Sequence, residues 1–293
     1  MLDVPKLLKI LHITQKELDH LLENIDRFYY LISNPKLDKK GIQLIDKNGK
    51  PRTRDLYPSL RLLKTVQKRI HVQLLKTIKL PDYAFGGIAK RDNILNAKMH
   101  QGNKFFFNTD LRNFYPGITH QQVFEMFVKR NFSPTASMIL TKLTTYKGML
   151  PQGTPTSPYL ANLVFVSAGL ELEALAIKNG LTLTTFVDDI TISSKIDFKP
   201  LVNDILAIIT SNGFKISHNK TFYQTKQPKV TNVIVNNNSI RLPEAYKKKI
   251  DGFEDKETPQ AKGTINYYKR VHKISKIKVS KIKEKTFTSH EVR

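Results

Sequence analysis

Apolar residues near the N-terminus recur at the spacing of helices. From Leu18 to Tyr29 they return every three or four positions, which is the period of a helix with one buried face. Thr14 and Glu17 have the spacing of a capping box, in which each side chain hydrogen-bonds to the backbone of the other residue at a helix start. We therefore predict that residues 1–33 are helical.

Further along the chain, helical and strand-like patterns follow one another irregularly. Residues 42–58 are predicted to form a hairpin, because Asp-Lys-Asn-Gly is a typical turn sequence and a basic arm follows it. The later predicted elements are a helix with Leu63, Val66, Ile70 and Leu74 on one face, a strand at 105–110, a helix at 119–129, a loop at 151–158, a helix at 160–176, a hairpin at 184–192, a helix at 199–211 and a strand at 230–236. Because strands and helices do not alternate regularly, the predicted fold class is α+β.

The composition is that of a globular and strongly basic protein. Of 293 residues, 40% are apolar, and 48 Lys and Arg residues face only 25 Asp and Glu, giving a formal net charge of +23. An excess of this size indicates a polyanionic partner, and nucleic acid is the first candidate. A membrane surface is the alternative. However, no run approaches the ~20 apolar residues of a spanning helix, and the N-terminus lacks a secretory pattern.

Cysteine is absent from the sequence. Its absence excludes disulfides, thiolate zinc sites and cysteine nucleophiles. The composition is compatible with a cytoplasmic protein, and we expect cytoplasmic localisation without a membrane partner.

The C-terminal part of the chain, from about residue 241, is more basic than the rest. Seven basic residues fall within 16 positions and are opposed only by Glu284: Arg270, Lys273, Lys276, Lys278, Lys281, Lys283 and Lys285. We predict that residues 241–293 form a helical appendage with a loose basic tail.

Three aspartates are candidates for metal chemistry. Asp188 and Asp189 lie in the short apolar hairpin, and Asp110 ends the strand that follows Lys104. A few carboxylates presented beside an open space can hold two magnesium ions for nucleotidyl transfer. The alternatives are a solvated turn for the pair and a helix cap for Asp110. The apolar residues that bracket the pair favour the metal site.

A loop rich in proline lies between the two aspartate segments. Three prolines restrict its backbone, and Gly153 permits a close backbone approach. Such a loop can hold Gln152 against a nucleotide without a bulky side chain between them. The alternative is an ordinary helix entry.

Three segments resemble those of reverse transcriptases, in the family's order and spacing. Asp-Leu-Arg-Asn-Phe-Tyr at 110–115 looks like the first palm motif, Pro-Gln-Gly-Thr-Pro-Thr-Ser-Pro at 151–158 like the loop-and-helix motif, and Phe-Val-Asp-Asp at 186–189 like the double-aspartate box. The resemblance implies a right-hand polymerase fold, with fingers, an antiparallel palm sheet backed by helices, and a small helical thumb. It also implies an RNA-directed DNA polymerase that uses two-metal nucleotidyl transfer.

The resemblance also implies a division of the chain into domains. We expect an N-terminal helical segment at 1–40, the fingers and palm at 41–240, and a basic helical thumb with a C-terminal tail at 241–293.

Carried over residue by residue, the resemblance implies a set of functional residues. Two Mg²⁺ ions would be held by the catalytic side chains of Asp110, Asp188 and Asp189 and by the backbone carbonyl of Leu111. The residues expected to contact the incoming dNTP are Arg52, Arg54, Phe114, Tyr115, Gln152 and Lys220. Among these, Tyr115 falls where the family places the aromatic gate against a ribose 2′-hydroxyl. The alternatives are two solvated arginines after a turn, and a surface lysine at position 220.

Two further segments resemble those of bacterial retron-type reverse transcriptases. Asn-Ala-Lys-Met-His at 96–100 resembles an Asn-Ala-x-x-His segment of that class, and Val-Thr-Asn at 230–232 resembles its Val-Thr-Gly segment. Asn232 replaces the glycine, and asparagine tolerates the left-handed backbone region. The Phe-Val-Asp-Asp box also departs from the commoner Tyr-Ala-Asp-Asp. We interpret His100 as a structural histidine.

A retron-type enzyme copies part of a cognate structured noncoding RNA into single-stranded DNA, and we expect a role in antiphage defence. Expected partners are that RNA template-primer, its DNA product, dNTPs, a separate effector protein and a host RNase H. The residues expected to grip the RNA are Lys269, Arg270, Lys273, Lys276, Lys278 and Lys281. Two alternatives stay open: another bacterial defence reverse transcriptase with protein-primed or unusual-template synthesis, and a non-catalytic RNA-binding protein. The Gly-Gly-acid-acid turn of a nucleotide cyclase is absent.

Overall fold

The computed structural model describes residues 1–38, 41–46 and 48–287, the side chain of Lys285 excepted. Lys47 of the predicted turn and the last six residues of the predicted basic tail lie outside the described residues. The chain forms two compact units, the first made of Met1–Lys79 and Asn113–Phe165, and the second of Leu80–Arg112 and the chain from Val166 onward. The domain boundaries expected after residues 40 and 240 stay predictions from the sequence.

The helices agree with most of the predicted helical segments. In chain order they are α1 (Val4–Leu11), α2 (Gln15–Glu23), α3 (Arg61–Arg69), α4 (Asn93–Met99), α5 (Phe114–Gly117), α6 (His120–Lys129), α7 (Pro134–Thr144), α8 (Ser157–Lys178), α9 (Val202–Ser211), α10 (Glu244–Asp251), α11 (Pro259–Ser275) and α12 (Val279–Phe287). The capping box of Thr14 and Glu17 is present at the start of α2. Helical structure in the N-terminal segment ends with a 3₁₀ turn at Ile25–Phe28, so the predicted end at residue 33 was wrong.

In the part of the chain that the structure describes, the strands form three antiparallel sheets. They are β1 (Ile32–Pro35), β2 (Thr53–Leu56), β3 (Phe105–Asp110), β4 (Thr182–Phe186), β5 (Asp189–Ser194), β6 (Phe222–Gln224), β7 (Lys229–Val230), β8 (Val233–Val235) and β9 (Ile240–Arg241). The sheet orders are β1-β2, β4-β5-β3-β6 and β7-β8-β9. A mixed architecture of this kind is the α+β class that the sequence predicted.

The hairpin predicted at residues 42–58 is only partly correct. Only the end of the basic arm, Thr53 and Arg54, belongs to β2. Moreover, β2 pairs with β1, with Ile32 opposite Leu56. Residues 42–45 contribute isolated bridges, one of which joins Ile45 to Pro51. Because β1 is exposed along its whole length, no buried face specified its register in the sequence.

The four-stranded sheet belongs to the second unit and matches the predicted strand and hairpin. Phe107 is opposite Ile192 across the β3–β5 pair, and both side chains are buried. Most positions of β3 and β5 are buried, so the sequence signal for these strands is a short apolar run bounded by polar residues. The sheet is the element that positions the aspartates.

The strand predicted at residues 230–236 is instead a hairpin. Val230 pairs with Val233, so that Thr231 and Asn232 form a two-residue turn. Their φ values are 45° and 67°, and two consecutive positive values are typical of a type I′ hairpin turn. Asn232, which replaces the glycine of the retron-type segment, therefore adopts the left-handed conformation that asparagine tolerates.

The C-terminal helices pack into the core of the second unit. Val271 of α11 shares a buried apolar cluster with Ile94 and Ala97 of α4 and with Val233 of β8. Ile282 of α12 packs in a second cluster around Phe85 and α4. The helical character predicted for this part of the chain is confirmed for the described residues.

Helix α8 corrects one expectation from the sequence. It has 22 residues, a mean hydropathy of 1.7 over its most apolar window, and half of that window is buried inside the protein. By length and composition it satisfies the criterion for a membrane span, although the predicted helix at 160–176 was not recognised as such. The core helix of a globular protein satisfies the same criterion, so α8 alone is weak evidence for a membrane.

Candidate active site

The two aspartate-bearing strands lie side by side in the four-stranded sheet. Asp110 is the last residue of β3 and Asp189 the first residue of β5, and the two are cross-strand partners. The backbone N–H of Leu111 donates to the carbonyl of Asp188 at 2.9 Å. The sheet therefore brings the three predicted aspartates to one end of the β3–β5 pair, with Leu111 directly beside them.

The turn between β4 and β5 is strained at Val187. Because Phe186 pairs with Asp189, Val187 and Asp188 are the two turn residues. Val187 has a φ of 60°, where a β-branched residue is an outlier. Strain of this kind costs about 1–3 kcal/mol and persists only where the surrounding structure imposes it. The turn is therefore held by its neighbours and not by its own sequence preference.

The three carboxylates and Lys220 form one charged cluster. Exclusion of water by the surrounding protein raises the pKa of Asp189 to about 6, and repulsion from Asp188 and Asp110 acts in the same direction, opposed by Lys220. Asp189 as a residue stays exposed to solvent. Repulsion from the neighbouring carboxylates therefore contributes more to its raised pKa than burial does.

Lys220 bonds directly to one of these carboxylates. Its Nζ donates to Oδ1 of Asp110 at 2.7 Å. Partial burial alone would lower the pKa of Lys220, but the hydrogen bond and the three carboxylate charges outweigh burial and raise it. The sequence indicated Lys220 as a dNTP contact, and the structure places its ammonium group at the aspartates.

These residues fit an open magnesium site and not a closed metal cage. Within the described parts of the chain, no group of three or more His, Cys, Asp or Glu side chains is arranged to hold an ion by itself. Magnesium is usually bound through one or two carboxylates, with waters and substrate phosphates as its other ligands. Asp110 and Asp189, on facing strands, supply that number of carboxylates. A cation would relieve their mutual repulsion.

Most of the chain matches a known protein family. Residues 39–237 match the family model described as "Reverse transcriptase (RNA-dependent DNA polymerase)". The chain belongs to the reverse transcriptase family. The match includes β3, α8 and the β4–β5 hairpin, so it covers all three motifs that carried the resemblance in the sequence.

Curated proteins similar to the chain include several retron reverse transcriptases, which confirms the predicted resemblance. The chain is 33% identical over 214 residues to the retron Ec86 reverse transcriptase of Escherichia coli, covering 70% of this chain and 66% of that protein. It is 31% identical over 189 residues to the retron Se72 reverse transcriptase of Salmonella heidelberg, covering 64% and 47%. The chain thus spans about half to two thirds of the length of these relatives.

A solved telomerase structure from Candida albicans shares the fold. The two chains superpose with a TM-score of 0.50 at 10% identity, over 94% of this chain and 60% of the telomerase chain. At this identity the likeness shows the fold alone. It supports the right-hand polymerase fold that the sequence predicted.

Two neighbouring aromatic residues of the first unit, Phe114 and Tyr115, differ in burial. Phe114 is buried, and its ring meets that of Phe165 edge to face at 6.3 Å. Tyr115 is only half-buried, with its ring 5.7 Å from that of Phe114. Phe114 is therefore a core residue, which makes Tyr115 the better candidate for a nucleotide contact.

The loop that carries Gln152 is fixed by hydrogen bonds within the first unit. The carbonyl of Gln152 accepts from the N–H of Tyr57 at 2.7 Å, and the hydroxyl of Ser157 donates to the carbonyl of Pro151 at 2.5 Å. Gly153 has a φ of 98°, and a Cβ there would lie 3.4 Å from Pro58. Rigidity of this loop was the prediction from its prolines. The half-buried side chain of Gln152 is not used in these backbone contacts.

The predicted dNTP-binding arginines lie on or next to β2. Arg54 belongs to the strand and Arg52 precedes it, and both residues are exposed. The backbone N–H of Arg52 donates to the carbonyl of Leu44 at 2.7 Å. Their backbones are fixed, while their side chains remain accessible, so phosphate binding by either arginine stays a prediction.

The residues predicted to bind RNA are exposed on α11 and α12 and in the segment between them. One of them has a partner: Arg270 forms an ion pair with Asp92, the residue that caps the start of α4. Arg270 therefore helps to attach α11 to α4 in addition to any contact with RNA. The exposed lysines of the predicted set are Lys269, Lys273, Lys276, Lys278 and Lys281.

Two residues of helix α4, Asn93 and Lys98, form hydrogen bonds to distant parts of the second unit. The sequence did not predict these contacts. The side-chain amide of Asn93 donates to the carbonyl of Thr231 at 3.2 Å and to the hydroxyl of Tyr267 at 2.6 Å. Lys98 is fully buried, and its Nζ donates to the carbonyl of Ser275, the last residue of α11, at 2.8 Å. A lysine at a helix C-terminus satisfies a carbonyl that lacks a helical partner. These partners lie more than 130 residues away in sequence, so no local pattern announced them.

His100 is the structural histidine that the sequence analysis expected. It is fully buried, with Nε2 2.7 Å from the hydroxyl of Thr184 and Nδ1 2.6 Å from the hydroxyl of Ser193. It therefore joins α4 to both strands of the aspartate hairpin. Burial lowers the pKa of His100 to about 3, and the charge of Lys283 adds to the effect.

This lowered pKa predicts a specific loss of stability in mild acid. Since the unfolded histidine takes up a proton below pH ~6.5 and the folded one does not, the contribution is complete above that pH and is lost as the pH falls. Between pH 7.5 and 5.5 we expect His100 to account for a loss of about 1.4 kcal/mol in the free energy of unfolding. Urea unfolding of His100→Asn should lack this component, whereas His12→Asn, at an exposed histidine, should retain it. Equal pH dependence in both variants would contradict the assignment.

Proposed function

We propose that this chain is an RNA-directed DNA polymerase of the retron type, which copies part of a structured noncoding RNA into single-stranded DNA. The observation that carries the proposal is the sheet register, in which Asp110 and Asp189 are partners and Asp188 is hydrogen-bonded beside them. Membership of the reverse transcriptase family supports the reaction. Similarity to several retron enzymes supports the subclass.

The proposed reaction joins a primer hydroxyl to the α-phosphate of a dNTP and releases pyrophosphate. Two magnesium ions, when bound, would neutralise charge on the attacking oxygen and on the leaving group. Asp110, Asp188 and Asp189 offer the carboxylate oxygens that hold them, with the Leu111 carbonyl as a further ligand. Lys220 bonds to Asp110 in this structure. Its ammonium group can donate to phosphate oxygens of the dNTP once the carboxylate is otherwise engaged.

We assign the remaining dNTP contacts to residues of the first unit. Arg52 and Arg54 are exposed cations next to and on β2, and a guanidinium binds phosphate through two parallel hydrogen bonds. Gln152 lies on the rigid loop before α8, and Tyr115 is the accessible aromatic residue of the first motif. Phe114 is buried, and we assign it to the core and not to direct contact with the nucleotide.

The Tyr115 assignment predicts altered sugar selection. If this ring excludes a ribose 2′-hydroxyl, Tyr115→Val should raise incorporation of rNTPs relative to dNTPs by about 10–100-fold, the range available to a small steric difference in a pocket. The measurement is the ratio of kcat/KM for dGTP and GTP on one template. Phe114→Leu is the matched control, because its buried ring should affect stability and leave the ratio unchanged. An unaltered ratio in Tyr115→Val would remove Tyr115 from the site.

The biological partners are part of the same proposal. The template-primer is a cognate structured RNA, and the exposed lysines of α11 and α12 supply the charge to hold it. A host RNase H would remove the copied RNA, a separate effector would act in antiphage defence, and the enzyme would work in the cytoplasm without a membrane partner.

Sequencing the nucleic acid that copurifies with the protein tests the proposal. The chain should be expressed with its flanking locus, because the cognate RNA is expected there. We expect single-stranded DNA joined to RNA through a 2′-linked branch and complementary to part of that RNA. DNA attached to a tyrosine or serine would favour protein priming, and RNA without any DNA would overturn the proposal.

A further inference from the structure

A short segment outside the three family motifs borders the aspartate hairpin. The backbone N–H of Phe85 donates to the carbonyl of Thr185, and the N–H of Thr185 donates to the carbonyl of Tyr83, both at 2.8 Å. Ala84 forms a parallel bridge with Thr185. The segment 83–86 therefore adds a strand-like edge to β4, next to the turn that carries Asp188 and Asp189. We call it the bracing segment.

The start of the bracing segment is fixed against helix α8. A Cβ built on Gly169 would lie 2.0 Å from the hydroxyl oxygen of Tyr83 and 2.4 Å from its Cζ. The tyrosine ring thus lies directly on the helix backbone, where only a glycine leaves room. Tyr83 is buried, so this end of the segment has little freedom to move.

The other end of the bracing segment touches the aspartate turn itself. A Cβ built on Gly86 would lie 2.5 Å from the backbone nitrogen of Val187, 2.6 Å from its Cγ2 and 2.9 Å from the carbonyl carbon of Phe186. Two of these atoms belong to the backbone, so no rotation of a side chain relieves the overlap. Gly86 does not have a positive φ. Glycine is therefore required at position 86 for space and not for backbone conformation.

We infer that Gly86 is a positioning residue for the catalytic turn, and this inference rests on the proposed metal-binding function of the aspartates. Val187 keeps a φ that β-branched residues avoid, so something outside the turn must impose it. Gly86 lets the backbone of the bracing segment pack directly on Val187, while the hydrogen bonds to Thr185 hold the segment in place. Any side chain at position 86 displaces the turn, and with it Asp188 and Asp189 relative to Asp110.

The test is the variant Gly86→Ala, assayed below its unfolding transition. A displacement of about 1 Å at reacting groups can lower a rate by about 10²-fold. We expect a fall of that size in kcat, together with a higher Mg²⁺ concentration for half-maximal activity. Affinity for template-primer should stay within about twofold, because the metal site contributes little to phosphate-backbone binding. The matched control is Gly263→Ala in α11, where a Cβ would meet no atom within 4 Å.

A double-mutant cycle with Val187→Gly separates positioning from a general loss of packing. Val187→Gly removes Cγ2, one of the three overlapping atoms, and a glycine at position 187 lets the backbone change its conformation locally to relieve the two backbone overlaps. The double variant should therefore regain at least about tenfold in kcat over Gly86→Ala, because contacting residues are not additive. Losses that simply multiply, or a Gly86→Ala enzyme with unchanged kcat and Mg²⁺ dependence, would overturn the inference.

The variant Asp189→Asn, measured in the same assay, distinguishes failure of the positioning role of Gly86 from failure of the proposed function of the aspartates. If Asp189→Asn is inactive while Gly86→Ala is normal, only the positioning role of Gly86 fails. If Asp189→Asn retains activity, the proposed function of the aspartates fails, and the inference fails with it.

Discussion

Replacing Asp189 with asparagine should lower the rate of dNTP incorporation by about 10³-fold, at the upper end of what removal of one charge-stabilising group costs. The substitution keeps the size of the side chain and removes its charge. Asp189 is the partner of Asp110 across the β3–β5 pair, so the site would keep its shape and lose one metal-binding carboxylate. Single-nucleotide incorporation at saturating Mg²⁺ measures the effect.

The same variant should be at least as stable as the wild type when no metal is bound. The pKa of Asp189 is raised from 3.8 to about 6, so the folded protein disfavours the charged form at neutral pH. A shift of this size corresponds to about 3 kcal/mol. Exposure to solvent reduces it to on the order of 1 kcal/mol. Thermal unfolding in EDTA should therefore show an equal or higher Tm for Asp189→Asn, which excludes misfolding as the cause of inactivity.

A matched control exists for this substitution. Asp204 is an exposed aspartate of the same unit, at the start of α9. Asp204→Asn should retain wild-type activity and respond to Mg²⁺ as the wild type does. Wild-type incorporation by Asp189→Asn would instead show that nucleotidyl transfer does not depend on this carboxylate.

Neutralising the exposed lysines of α11 and the segment after it should weaken RNA binding by roughly 10²-fold at 0.1 M salt. Each lysine that contacts a phosphate releases counterions from the RNA, and this favourable release is lost with the contact. The variant replaces four lysines with glutamine, at positions Lys269, Lys273, Lys276 and Lys278. Arg270 is left unchanged, since its ion pair with Asp92 makes its removal a change in structure as well as in charge. The slope of log Kd against log salt should fall by about 3.

The control variant loses the same number of positive charges, but at other positions of the chain. Four exposed lysines that do not belong to the C-terminal helices are replaced by glutamine, at positions Lys16, Lys64, Lys129 and Lys178. This control should change the salt slope by less than about 1. Equal losses in the two variants would show that net charge, and not the surface of α11, determines RNA binding.

The sequence predicted β3, β4 and β5 of the central sheet because most of their positions are buried, and it missed β6, which has no buried position. Phe106, Phe107, Ile190 and Ile192 are buried, and a strand that is buried at most positions reads in the sequence as a short apolar run. The same reasoning missed the pairing of β1 with β2, because every position of β1 is exposed. It also read residues 230–236 as a single strand, since the turn at Thr231 and Asn232 contains no glycine.

The candidate site was predictable in its residues and not in its contacts. Asp110, Asp188 and Asp189 were identified by motif and spacing. However, the hydrogen bond from Lys220 to Asp110 joins residues 110 positions apart. The packing of Gly86 on Val187 is a contact of the same long-range kind. Such contacts arise from tertiary structure, and a single sequence carries no local signal for them. The structure also separated buried Phe114 from accessible Tyr115, which the motif alone left side by side.

The central claim, that this chain copies RNA into DNA, is tested most directly by primer extension with the purified protein. The substrate is an RNA template with an annealed DNA primer, supplied with the four dNTPs and Mg²⁺. We predict extension to the end of the template, with a product complementary to the RNA. Extension should be lost in EDTA and about 10³-fold slower with Asp189→Asn. Tight binding of the template-primer by a folded protein that adds no nucleotide under these conditions would contradict the account.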